Sequence, residues 1–202
     1  KGDWKNLPEM LKYLQSKDRN EVFAASLIRL MFMNKDESIL PVLLTALKDP
    51  SPLVRSAAAQ ALGYRPSPVT RNALIKAAND DYRVVRISAA YGLTTPSFEK
   101  IGDRDDAKGI DKAVDEFLAS LMMHPDLWTS YDITGNVYQS RGRFKEAESA
   151  YQTALRIEPR AVSVMLSLSS VYLQQGKIDK AEEILRQAGK LEPNILQVKS
   201  PR

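Results

Sequence analysis

The sequence predicts an all-α fold, an α-solenoid of stacked helical hairpins arranged in two successive arrays. Three observations predict it: a 31-residue repeat in the first half, a 34-residue repeat in the second, and small and large apolar residues at helical spacing within both. Periods of this size mark units that bury their apolar faces only by stacking on neighbours.

In the first array, Asp49-Pro50-Ser51-Pro52-Leu53-Val54-Arg55 leads into Ala57-Ala58-Ala59-Gln60-Ala61-Leu62-Gly63. Thirty-one residues later, Asp80-Asp81-Tyr82-Arg83-Val84-Val85-Arg86 leads into Ser88-Ala89-Ala90-Tyr91-Gly92-Leu93. The preceding helices correspond too, with Leu43, Leu44 and Leu47 falling on Leu74, Ile75 and Ala78. Each unit therefore spells helix, tight turn, helix. Pro50 and Pro52 separate the two helices, because proline is tolerated only in a helix's first turn. Alanines at 58, 59, 89 and 90 allow close packing of the second helix. The Asp and Arg, six apart in both units, are suited to tie the turn to the following helix by charge-assisted hydrogen bonds. A weaker copy precedes them: Leu7-Pro8, Met10-Leu11 and Leu14 echo Leu40-Pro41, Leu43-Leu44 and Leu47. Its second helix is expected to open at Asp18, and Phe23 stands where the other units have arginine, as expected of an end unit.

In the second array, Gly135, Tyr138, Gly142, Phe144, Ala147, Tyr151, Ala154 and Pro159 recur 34 residues on as Ser169, Tyr172, Gly176, Ile178, Ala181, Leu185, Ala188 and Pro193. Ala113, Phe117 and Pro125 fit the same register one step earlier as a single helix. Small residues at 135, 147, 154, 181 and 188 belong where helices cross closely, and Tyr138, Phe144, Tyr151 and Tyr172 fill the gaps. Gly142 and Gly176 are placed to terminate first helices expected over 128–140 and 162–174. Thr94 to Gly109, with Pro96, Gly102 and Asp103-Arg104-Asp105-Asp106, interrupts both periods. The organisation expected is thus an array over 1–95, a connector over 96–109, and a second array over 110–202.

The Asp-x5-Arg turn, with Val-Arg leading a small-residue helix, resembles HEAT repeats over roughly residues 7–95. The Gly135-to-Pro159 set and its copy resemble tetratricopeptide repeats over about 110–195. Their order, joined through VVRISAAYGL and followed by PDLWTSYDITGNVYQSRGRFKEAESAYQTAL, is similar to the C-terminal part of a bacterial family. Members of that family carry an N-terminal multihaem cytochrome c domain, then HEAT repeats, then tetratricopeptide repeats. This resemblance implies a larger, periplasmic or exported parent with haem in an upstream domain. No CxxCH motif occurs here, so no cofactor is expected in this chain.

Composition narrows the chemistry. There is no cysteine and one histidine, which removes thiol nucleophiles and disulfides and leaves too few ligands for most transition-metal sites. His124 adjoins Pro125 in a turn; Trp4 and Trp128 are expected to pack; the six methionines are expected as core filler. No apolar run approaches ~18 residues, so no membrane-spanning helix is expected. The chain opens on Lys1 without a signal peptide, as expected of a processed or excised segment. The expected role is a non-catalytic protein–protein interaction scaffold. Resemblance to tetratricopeptide repeats implies a concave groove lined by first helices, here by Thr129, Asp132, Asn136, Gln139, Ser163, Leu166, Ser170 and Leu173. Asp132 takes a position where some such grooves use lysine to grip a peptide carboxylate, so that mode is not expected. The partner would be a protein or peptide segment, or a preceding domain of the same polypeptide. The alternative is nucleic-acid binding by the first half, which holds 15 basic and 10 acidic residues, through Arg65, Arg71, Lys76 and Arg83.

Overall fold

The computed structural model describes residues 4–95, 98 and 110–193. Among these residues there are no strands, and the helices follow the hairpin plan. They are α1 (Leu7–Leu14), α2 (Glu21–Leu30), α3 (Ile39–Ala46), α4 (Pro52–Leu62), α5 (Pro68–Ala77) and α6 (Arg83–Leu93). After them come α7 (Asp111–Leu121), α8 (Trp128–Ser140), α9 (Phe144–Ile157), α10 (Val162–Gln174) and α11 (Ile178–Leu191). No helix is long and apolar enough to cross a membrane among the described residues. The chain divides into two compact units, Lys1–Phe117 and Leu118–Arg202. Of the expected connector, Phe98 is described and fully buried; Ile101 and the charged run lie outside the described residues.

The first unit is built on second helices packed against one another. α4 turns a nearly continuous row of small residues inward, with Ser56, Ala57, Ala58, Ala59 and Ala61 all buried, and α6 does the same with Ala89 and Ala90. Ser56 and Ser88 join α4 to α6 through their hydroxyls at 2.9 Å. The closest approach is backbone to backbone: a Cβ added at Gly63 would lie 2.8 Å from the Gly92 Cα. Larger side chains, Ile28, Ile39, Leu43, Leu62, Leu74 and Val85, are fully buried in the same unit, and Leu74 reaches the Gly92 position itself. α2 starts later than Asp18: Asn20 is its N-cap, accepting from the Phe23 N–H at 3.0 Å. The Tyr13 hydroxyl takes the Asn20 N–H at 2.9 Å and fixes that residue as the cap.

The repeated Asp and Arg do more than close their own turns. Arg55 Nη1 donates to the carbonyls of Asp49 (2.7 Å) and Pro50 (3.0 Å) in its own turn. Its other edge grips the carboxylate of Asp80, in the next repeat, at 2.8 and 2.9 Å. Arg86 copies this, with the carbonyls of Asp80 and Asp81 on one side and Glu116 of α7 at 2.7 and 2.8 Å on the other. Arg19 pairs with Asp49, so in the first copy the guanidinium comes from the turn before α2. The expected Asp–Arg tie within one repeat is therefore a staggered ladder between repeats. Each aspartate also accepts the N–H two residues on, Ser51 for Asp49 and Tyr82 for Asp80, both at 2.9 Å. α7, which the 34-residue register groups with the second array, joins the first unit through Glu116 and through Phe117, whose ring lies 5.7 Å from Tyr91. That contact ends a row of rings, Phe32–Tyr64–Tyr91–Phe117. Hydrogen bonding to the Tyr64 hydroxyl, with burial, pushes the Tyr91 phenol up to about 12.

Burial pushes the Asp80 carboxyl up, but hydrogen bonds from Arg55 and the Tyr82 N–H overrule it and hold it below the usual carboxylate range. Glu116 is held down chiefly by Arg86. Because both are lowered on folding, their contribution is complete above the unfolded values of about 4 and is lost as pH falls through the lowered ones. The melting temperature should therefore fall with acid below about pH 4, less steeply in Arg55→Met. At neutral pH that substitution leaves Asp80 with the Tyr82 N–H but no guanidinium and strips two carbonyls of their donor, an expected cost of about 2 kcal/mol in urea unfolding.

The second unit repeats one hairpin twice. Both first helices end in the same reverse turn, with Gly142 at φ 70° and Gly176 at φ 73°. The Gly142 N–H meets the Gln139 carbonyl (3.0 Å) and the Arg143 N–H that of Tyr138 (2.9 Å). Gly176 and Lys177 do the same with Leu173 and Tyr172 at 3.0 and 2.8 Å. Only a residue comfortable at positive φ completes this pattern. The core runs through Ala147, Tyr151, Ala154, Val164, Leu168, Val171, Tyr172 and Ala181, with Trp128, Tyr138 and Phe144 packed against it.

Candidate partner groove

The eight groove residues lie on α8 and α10 at spacings of three and four, so each set forms a stripe along one helix face. Thr129, Ser163 and Leu173 are exposed, Leu173 to 55%. Asp132, Asn136, Gln139 and Ser170 are half-buried because their polar ends are tied together beneath the surface. Tyr151 of α9 is the pivot. Its ring is fully buried against Gly135, where an added Cβ would sit 2.4 Å from the ring, and this passage under α8 brings the hydroxyl up between two amides. The hydroxyl oxygen lies 2.9 Å from Asn136 Oδ1 and 2.8 Å from Gln139 Oε1. Gln139 Nε2 then donates to Ser170 Oγ at 3.2 Å, crossing from α8 to α10. Asn136 Nδ2 reaches back to Asp132 Oδ1 at 3.4 Å. A phenol has one proton for its two neighbours; with the Gln139 amide turned, its NH2 donates to the phenol while Ser170 donates to its oxygen, and every contact in the chain has its proton.

Leu166 does not share this network. It packs with Val162, Met165 and Ala188, toward α11. Tyr151 was expected only as a gap-filler; the signal for its second role is a tyrosine at a core position, since a buried hydroxyl requires a partner. Asp132 differs from its neighbours. Burial pushes its carboxyl up, only partly offset by the long bond from Asn136.

In the first unit, Arg65 spends its guanidinium on the Asn34 carbonyl, and burial lowers its pKa. Arg71 is half-buried, while Lys76 and Arg83 are exposed. A groove of about 480 Å³ between α3 and α5 is lined by Leu44, Leu47, Val69 and Ala73 with Lys48 and Lys76. A smaller one of about 200 Å³ lies between Phe32 and Tyr64, floored by Ala57 and Ala61. His124 is exposed in its turn. Three methionines expected in the core are not there: Met33, Met122 and Met123 are 68%, 39% and 73% exposed, just beyond the ends of α2 and α7, where the buried stripe has run out.

Residues 7–94 match the family described as HEAT repeats, and residues 138–199 match one described as tetratricopeptide repeat. The chain thus carries HEAT repeats followed by tetratricopeptide repeats. Comparison with curated proteins finds no significant match. Among solved structures, one titled MamA AMB-1 is similar at 17% identity and a TM-score of 0.47, over 96% of this chain and 95% of that one.

Proposed function

We propose that this chain of HEAT and tetratricopeptide repeats is a non-catalytic protein–protein interaction scaffold, with the stripe on α8 and α10 as its peptide-binding surface. The observation that carries this reading is the Tyr151-centred network. It holds the polar side chains of two adjacent first helices in fixed positions while Thr129, Ser163 and Leu173 stay open to a ligand. Preorganised polar groups beside an exposed apolar side chain suit an extended segment that offers its backbone and one apolar anchor. A photo-crosslinking residue placed at Thr129 or Ser163 should give discrete adducts in native extract, and the same residue at the exposed Glu182 of α11 should not. Equal labelling from all three positions would overturn the assignment.

The parent we propose is a larger exported bacterial protein with a multihaem cytochrome domain ahead of the repeats. Support is the order of the arrays and the joining sequence through Val84–Leu93. CxxCH motifs encoded upstream of Lys1 are the expected finding, and a parent gene without them refutes it.

A further inference from the structure

The thirteen residues of α8 and the thirteen of α10 contain one formal charge between them, Asp132. That charge is half-buried, has no ion-pair partner among the described residues, and is served within the network by one long hydrogen bond, 3.4 Å from Asn136. Desolvation works against it, raising its pKa. Asparagine has the same shape, could still meet Asn136, and would carry a much smaller desolvation penalty, so the fold itself gains nothing from the acid. A carboxylate kept at a cost within an otherwise uncharged surface is complementary to a single cation arriving from outside.

The distance to the apolar end of the stripe fixes the rest of the pattern. Asp132 and Gln139 are seven residues apart on α8, Gln139 meets Ser170 of α10, and Leu173 lies three residues further along that helix. Together these ten helical residues rise roughly 15 Å, which an extended segment covers in about four or five residues.

We propose that the groove selects an extended peptide segment bearing one lysine or arginine, paired with Asp132, four or five residues from an apolar side chain that covers Leu173. This inference rests on the groove assignment above and adds the charge and register of its occupant. The acid that disfavours a peptide carboxylate becomes the specificity element for a basic residue.

Selection of a random dodecapeptide display library on the full chain tests it, with Ser163→Trp to block the stripe and Asp132→Asn and Asp132→Lys to alter the charge. Enriched peptides should share one basic residue at that spacing from Leu, Ile or Met and should lose binding to Ser163→Trp. Their synthetic versions should bind Asp132→Asn roughly tenfold more weakly, although this variant should melt no lower than wild type. Selection on Asp132→Lys should instead enrich Asp or Glu at the same site. Peptides that Ser163→Trp does not affect would sink the groove assignment itself. Peptides blocked by Ser163→Trp but without a basic preference, or bound equally by Asp132→Asn, would leave the groove standing and overturn the charge inference. A lower melting point for Asp132→Asn would show that the acid serves the fold and would likewise overturn it.

Discussion

Gly92→Ala is expected to destabilise the chain by about 3 kcal/mol in urea unfolding, the range of a forced overpacking. The sign makes this informative. In an open helix the same change gains about 1 kcal/mol, because alanine forms helix better than glycine. Gly92 lies inside α6, but its added methyl would meet the Gly63 Cα at 2.9 Å and the Leu74 Cδ1 at 3.1 Å. Leu74 could rotate aside; the Gly63 backbone could yield only if α4 and α6 part. Separation would loosen the alanine layer and the Ser56–Ser88 contact with it. Gly63→Ala should have a similar effect, and the double variant should cost less than the sum, since one separation accommodates both methyls. Strict additivity would show that each glycine is crowded by something else.

The second large effect is expected at Tyr151. Alanine there should cost about 4 kcal/mol by removing a fully buried ring. Phenylalanine keeps the ring and loses only the hydroxyl, leaving Asn136 and Gln139 without their shared partner, for roughly 1–2 kcal/mol. The two substitutions separate the roles of this residue. Tyr151→Phe should leave the helices packed but free the groove amides, weakening any ligand that needs them held. Gly135→Ala should approach the alanine variant in severity, because its methyl would occupy the space of the ring. Thermal unfolding with near-ultraviolet dichroism resolves these outcomes, and a Tyr151→Phe chain as unstable as Tyr151→Ala would place the hydroxyl, not the ring, at the centre of the unit.

Legibility from sequence followed how local each constraint is. α8 and α10 end where the register put them, at 128–140 and 162–174, because the glycines at 142 and 176 impose a backbone conformation that few other residues accept. The start of α2 was less legible. Asp18 and Asn20 both have capping chemistry, and the choice is made by Tyr13, a contact seven residues back. The arginine ladder was half visible: a six-residue spacing shows that Asp and Arg belong to one motif, not that the acid serves the preceding repeat while the arginine serves the next. The groove followed the same rule. Helical spacing picked out the stripe, whereas the linking of Asn136, Gln139 and Ser170 through a residue on α9, and the turning of Leu166 toward α11, depend on how hairpins meet.

The staggered guanidinium pairs also govern how such a chain can change in length. Excising Pro50 through Asp80, 31 residues, would keep Arg19 matched to Asp49 and Arg86 matched to Glu116, with the Asp49 carbonyl standing in for that of Asp80. A cut that removed Asp80 but spared Arg55 and Arg86, or removed Arg86 but spared Asp80 and Glu116, would leave a base or an acid without its opposite. The pairing therefore favours gain and loss of material in whole modules over changes of fractional length.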